Sequence, residues 1–223
     1  MYMDELIRGA LLLGFELSEL QIKQFALYLE ELQRWNKTYS LTTINEPAEI
    51  VRKHFLDSLN YTIPAVPEGE ILDLGTGPGF PGLPLAIVRP QDKFVLVDAR
   101  RKKTLFLNFV CQKLGLKNVQ IIHLHLSRGN AREVFAQSFS VIVTRAVAVM
   151  REVVPAADCL LKNGGVLLFS DADPDRNALE SALEEWSELK LEKLEKTKTA
   201  GRALDIYLGT IRKIEDNEKN ELC

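Results

Sequence analysis

Cysteine is nearly missing from this chain: Cys111, Cys159 and Cys223 are odd in number, far apart, and form no Cys-x-x-Cys pair. That argues against a disulfide framework and a cysteine zinc site, and reduced thiols are the expectation. Histidine is equally scarce. His123 and His125 stand two apart on an expected strand end and so point to one side, but no third ligand accompanies them and no metal is expected. No apolar run approaches the roughly 18 to 20 residues of a membrane span. Met1 to Ala10 carries Asp4 and Glu5 where a signal peptide needs positive charge and then an apolar stretch. The expectation is a cytoplasmic protein with no membrane contact and no evident stable protein partner. An excess of positive charge is missing too, the formal net charge being -3. Nonspecific coating of nucleic acid depends on Lys and Arg neutralising phosphates, so any RNA contact must be focal.

What is present is the composition of a globular protein, 46% hydrophobic and 26% charged, in a 223-residue chain that one core with a small appendage accommodates. From Asp4 to about Leu59 apolar residues recur at three to five positions (Leu6, Ala10, Leu13, then Leu20, Phe25, Leu29, Leu32), which predicts helices, with Ser18 as an N-cap. After Pro64 and Pro67 the texture changes to short apolar runs alternating with helical patterns, the mark of an α/β domain. Strands are expected at Ile71–Leu74, Phe94–Val97, Val119–His123, Phe139–Val143 and Val166–Phe169, with crossover helices beginning near Gly82, Arg101 and Val149. Each run is short and almost wholly apolar, as buried parallel strands are. Leu189–Leu194 and Leu204–Ile211 read as a closing antiparallel pair after a helix over about Asp175–Glu188. The expected organisation is a helical extension over 1–64 packed on an α/β domain over 65–213 with a mostly parallel sheet and an antiparallel C-terminal edge. The charged segment from Lys213 to Cys223 is expected to be a solvated tail, flexible over 214–223.

The most informative segment is Ile71 to Gly82, ILDLGTGPGFPG: strand residues, glycines at 75, 77 and 79, then a helix start. Glycine lets a backbone take positive φ and approach a ligand closely. Gly77, Gly79 and Gly82 satisfy the GxGxxG pattern of dinucleotide sites, and Asp98 sits about 20 residues on, where a ribose-binding carboxylate belongs. Spacing alone leaves a nicotinamide-dependent oxidoreductase open. Two details favour a nucleoside cofactor without a pyrophosphate. Pro81 and Pro84 lack amide hydrogens where a helix N-terminus would offer donors to phosphate. Asp73 places a negative charge ahead of the first glycine, which repels pyrophosphate but attracts the sulfonium and ammonium of S-adenosylmethionine. Asp98 then serves the two ribose hydroxyls.

At this point five segments, WNKTYSLTTI (Trp35 to Ile44), RKHFLDSL (Arg52 to Leu59), DLGTGPGFPGLPLAIVRP (Asp73 to Pro90), DARRKKTLFL (Asp98 to Leu107) and TRAVA (Thr144 to Ala148), give the chain a resemblance to the ribosomal RNA small subunit methyltransferase G family, also called glucose-inhibited division protein B. The resemblance covers roughly Trp35 to Gly165. It implies a Rossmann-like S-adenosylmethionine methyltransferase sheet and methylation of N7 of one guanine in the decoding region of 16S ribosomal RNA, free or in a small-subunit particle. It further implies that Gly75 and Phe80 line the cofactor site and that Arg145 completes it. Where the family carries an Arg-x-Glu-like element after the third strand, this chain has His125, Leu126 and Ser127, leaving backbone groups at Leu126 and Ser127 to meet the adenine. Ser170 to Asp173 replaces a frequent Lys-Gly. These two departures keep a third reading in view, a non-catalytic RNA-binding or ribosome assembly factor on the same fold.

Guanine N7 already bears a lone pair, so no catalytic acid or base is expected and positioning carries the rate, a contribution on the order of 7 to 11 kcal/mol. N7 of paired A-form RNA lies in a groove that side chains read poorly, so the target base must be unpaired or displayed by a folded loop. Candidate RNA contacts are Arg101, Lys102 and Lys103 beside Arg100, and more weakly Arg52 and Lys53, and Arg34 with Lys37. A charge run at a helix start is commonly just a solvated face, although cations there oppose the helix dipole. His54 and Asp57 lie three apart and share a helix face.

Overall fold

The computed structural model describes residues 2–61, 70–126, 128–135, 139–145, 150–172, 174–197 and 206–214. The N-terminal helices are α1 (Tyr2–Leu12) and α2 (Glu19–Tyr39). A reciprocal cap starts α2: Ser18 Oγ accepts from Gln21 N at 3.2 Å, and Ser18 N donates to Gln21 Oε1 at 2.9 Å. Ser40, in the left-handed region at φ 49°, ends it. A continuous helical stretch follows as α3 (Pro47–Ile50), a π-helical turn (Val51–Leu56) and α4 (Asp57–Leu59).

The remainder alternates strand and helix: β1 (Glu70–Leu74), α5 (Gly82–Val88), β2 (Lys93–Asp98), α6 (Arg101–Leu114), β3 (Val119–His123), α7 (Arg128–Phe135), β4 (Phe139–Thr144), α8 (Met150–Leu160), β5 (Leu161–Asp171), α9 (Arg176–Leu183), β6 (Leu189–Lys196) and β7 (Tyr207–Lys213). The strand order is β3-β2-β1-β4-β5-β7-β6. The first five strands pair in parallel, while β7 runs antiparallel to both β5 and β6, as the sequence predicts. Strand alternation divides the core. Ile71, Phe94, Leu96 and Val141 face the N-terminal helices with α5 and α6, and Leu72, Val95 and Ile142 face α8 and α9. The N-terminal helices therefore share one continuous core with the sheet. Two glutamine amides from α2 key it across the ends of α5 and α6: Gln21 donates to Ile87 O (3.0 Å) and Gln24 to Leu114 O (2.9 Å).

Four expectations need correction. Strand β5 extends back to Leu161, because a register shift between Phe139 and Val141 and positive φ at Gly164 let the LKNGG segment stay in the ladder instead of forming a loop. Helix α7 carries too few apolar residues to show a period and was not expected. The helix after Asp175 stops at Leu183. Lys213 is no tail residue: it ends β7, 2% exposed, with Nζ donating to Asp158 O at 2.5 Å and 3.8 Å from the carboxylates of Asp158 and Glu188. Ile214 is also buried, its N donating to Glu188 O at 2.7 Å. The expected boundary near Pro64, the strand start at Leu204 and the tail beyond Ile214 lie outside the described residues.

Candidate functional site

The glycine segment leaves β1 as a loop bound to its neighbours by backbone and carboxylate contacts. Gly75, Gly77 and Gly79 all have positive φ (74°, 64° and 114°), conformations that side chains resist. Gly75 N and Thr76 N both donate to Val97 O, at 2.9 and 3.0 Å, joining the loop to β2. Asp73 Oδ2 accepts from Thr76 Oγ1 at 2.6 Å and from Gly82 N at 2.7 Å. A Cβ on Gly82 would stand 2.6 Å from that same oxygen, so the carboxylate fits only against glycine. Asp73 is wholly buried, and burial above all raises its pKa to about 7, with Asp98 adding repulsion and the two hydrogen bonds and Arg145 opposing. Among the described residues its Oδ1 has no hydrogen-bond partner.

Beside the loop, at the C-terminal ends of β1, β2 and β4, lies a cavity of about 230 Å³ lined by Leu74, Gly75, Val97, Asp98, Ala99, Arg100, Leu124, His125, Leu126, Thr144 and Val153. This is where strand order reverses about β1, the place at which open α/β sheets bind ligands. Asp98 is buried at its wall. Oδ1 accepts from Arg100 N at 2.7 Å and Oδ2 from Gly77 N at 2.9 Å, with Lys103 Nζ 3.7 Å from Oδ2. A carboxylate offers about four acceptor positions, so two hydrogen bonds leave it capacity for a pair of hydroxyls. Burial lowers the Lys103 pKa, while Asp98 counteracts that. A Cβ at Gly75 would meet nothing within 4 Å, so the backbone there is open to a close approach. The residues present thus suit a nucleoside with a free cis-diol.

Of the residues singled out in the sequence, Gly75, Asp98 and Leu126 line this cavity; Gly77 enters it through its hydrogen bond to Asp98, and Ser127 lies outside the described residues. Asp73 does not line it. Its side chain projects to the sheet face shared with Ile71, where Oδ2 braces the loop. Phe80, expected to line the site, is 4% exposed and is held in an aromatic cluster, stacked on His54 (centroids 4.4 Å) and Tyr28 (5.6 Å). Arg145 leaves the end of β4 toward the π-helical turn. Its Nη1 donates to His54 Nδ1 at 2.8 Å, its Nη2 to Lys53 O, and Nη2 lies 3.8 Å from Asp57. Because guanidinium only donates, His54 Nδ1 accepts and Nε2 carries the proton toward Thr42 Oγ1 at 3.0 Å. The face shared by His54 and Asp57 therefore meets the C-terminal end of β4 through Arg145.

The basic candidates separate by what they already hold. Lys102 Nζ donates to Tyr39 O at 2.7 Å, satisfying a last-turn carbonyl of α2. Lys103 is beside Asp98. Arg52 pairs with Glu5 and Glu49, and Lys53 with Glu49, so they fasten α1 and α3 to the π-helical turn. Arg34 pairs with the buried Glu31 at 3.1 Å. Arg100 and Arg101 are exposed beside the cavity at the start of α6. A further cavity of about 250 Å³, among Tyr61, Leu168, Thr210 and Arg212, holds no residue of the glycine loop. Among the described residues no group of three metal-ligating side chains occurs, and no helix is long and apolar enough to cross a membrane.

Solved structures with this architecture include a precorrin-6y C5,15-methyltransferase from Geobacter metallireducens (TM-score 0.51, 16% identity, covering 79% of this chain and 92% of that one). A SAM dependent methyltransferase from Aquifex aeolicus is another (TM-score 0.51, 15% identity, 66% and 82%). At such identities they establish the fold alone. Sequence relatives are nearer. Ribosomal RNA small subunit methyltransferase G of Nitrosococcus oceani is 43% identical over 164 residues, 72% of this chain and 73% of its own. The protein of the same name from Geobacter metallireducens is 38% identical over 179 residues, 80% of each. The family model described as rRNA small subunit methyltransferase G matches residues 21–206. The chain belongs to the rRNA small subunit methyltransferase G family.

Proposed function

We propose that this protein transfers the methyl group of S-adenosylmethionine to N7 of one guanine in 16S ribosomal RNA, in the cytoplasm and on free RNA or a small-subunit particle. The observation that carries the cofactor is the buried Asp98 carboxylate, fixed by Gly77 N and Arg100 N at the wall of a cavity beside an open glycine backbone. Asp98 would hold the ribose, Gly75 and Gly77 would let the cofactor lie against the backbone, and Leu126 would border the adenine. Phe80 and Arg145 act at one remove, by setting the far end of the glycine loop and the π-helical turn. Bound there, the cofactor would supply an electrophilic methyl on its sulfonium, for which the N7 lone pair is the acceptor. No proton moves, so none of these residues has to serve as acid or base. The chain's work is orientation and exclusion of water.

Arg100 and Arg101, exposed at the cavity's border, are the side chains best placed for a phosphate, with Lys102 held against α2. The test is methyl transfer from labelled S-adenosylmethionine to small-subunit particles from cells that lack the activity, with N7-methylguanine mapped by borohydride reduction and aniline cleavage. Transfer to a single guanine supports the proposal. Binding of particles without transfer would favour the assembly-factor reading.

A further inference from the structure

Tyr28 lies in the middle of α2, far in sequence from the glycine loop, and is completely buried. Its hydroxyl donates to Pro78 O at 2.6 Å, between two of the positive-φ glycines. The fit is tight on the other side as well, since a Cβ on Gly79 would stand 2.6 Å from the Tyr28 hydroxyl oxygen. The ring itself is gripped by Phe55 (centroids 5.2 Å), Phe80 (5.6 Å) and Phe106 (6.3 Å). Helix α2 cannot easily slide, because Gln21 and Gln24 hold it to the carbonyl ends of α5 and α6 and Lys102 holds its last turn. Burial raises the hydroxyl's pKa well above its usual value, so it remains a donor.

We propose that Tyr28 is a positioning residue for cofactor binding: its hydroxyl fixes the Pro78–Gly79 turn, and so the Gly75–Gly77 backbone that faces the cavity. This rests on the reading of that cavity as the cofactor site. Glycine-rich backbone has the most conformational freedom to lose, and a cofactor that has to order it binds more weakly. The N-terminal helices thus act on the cofactor through one hydrogen bond, besides the core they share with the sheet.

The experiment compares full-length wild-type protein with Tyr28→Phe and Leu29→Ala. Tyr28→Phe keeps the ring and its neighbours but leaves the Pro78 carbonyl without that donor. Leu29→Ala truncates a buried side chain of the same core and leaves the hydroxyl in place. Calorimetric Kd for S-adenosylmethionine, KM for cofactor and for RNA particles, kcat and Tm are measured at a temperature where all three are folded. Expected for Tyr28→Phe is a rise of about tenfold in cofactor Kd and KM, the scale of one buried hydrogen bond. Its kcat at saturation and its KM for RNA should stay within about twofold. Leu29→Ala should lower Tm with cofactor Kd unchanged. If Tyr28→Phe lowers Tm but leaves the Kd at the wild-type value, or if Leu29→Ala weakens the cofactor as much, the hydroxyl is structural only and the proposal is overturned. Absence of binding by wild-type protein would instead reject the cofactor reading beneath it.

Discussion

Asp73→Asn should change how stability depends on pH. The carboxyl is fully buried, and its pKa is raised from 3.8 to about 7, first by burial. A folded-state value above the unfolded one means that the native protein keeps a proton that the unfolded chain has released. That contribution to stability is complete below about pH 4 and is lost as pH rises through about 7. At 1.36 kcal/mol per tenfold change, the loss between pH 5 and pH 8 is about 3 kcal/mol. Asparagine keeps an oxygen that can accept from Thr76 Oγ1 and Gly82 N but cannot ionise. Urea unfolding followed by circular dichroism at pH 5, 6, 7 and 8 reads the difference. The variant's stability should gain on the wild type by about that amount across the series, whatever the offset at pH 5. Parallel curves for the two proteins would refute the reasoning, and would mean that Asp73 is ionised throughout in the native state.

Asp98→Ala should weaken S-adenosylmethionine by about 1 to 3 kcal/mol through lost charge-assisted hydrogen bonds, read by calorimetry; an unchanged Kd would remove the ribose assignment. Arg101→Ala should lower the salt slope of RNA affinity by about 1 while leaving Tm and cofactor Kd alone, and a slope that does not move makes that residue ordinary surface. Arg145→Lys cannot reach both His54 Nδ1 and Lys53 O in the same fork, so denaturant unfolding should show a loss of about 1 to 3 kcal/mol. Stability equal to wild type would show that the fork to the π-helical turn contributes little.

The sheet was legible because its buried strands are nearly continuous apolar runs, and the antiparallel edge because Leu189 to Ile211 departs from that pattern. The cavity was legible from Gly75 and Asp98, whose roles depend on strand ends and backbone freedom, both local properties. Asp73 is legible as an acid at a strand end, but its contacts are not. Its type and place in the chain are right for meeting a cation, but strand alternation puts it on the face of Ile71, and which face the N-terminal helices cover is decided by long-range packing. The aromatic cluster that Phe80 forms with His54 and Tyr28 carries no local signal. Tyr28 itself gave no sign, because its partner Pro78 is 50 residues away. The carbonyl that Lys102 satisfies belongs to Tyr39, 63 residues earlier, and is equally hidden in the sequence. The π-helical turn carries no local signature either.

The central claim is that the cavity beside Gly75 and Asp98 takes a nucleoside carrying a positively charged sulfur. Titration of the folded protein with S-adenosylmethionine, S-adenosylhomocysteine and NAD in one calorimeter tests it directly. The account predicts saturable one-to-one binding of the first two, lost or greatly weakened in Asp98→Ala, and none of NAD. Saturation by NAD, or by none of the three, would contradict it.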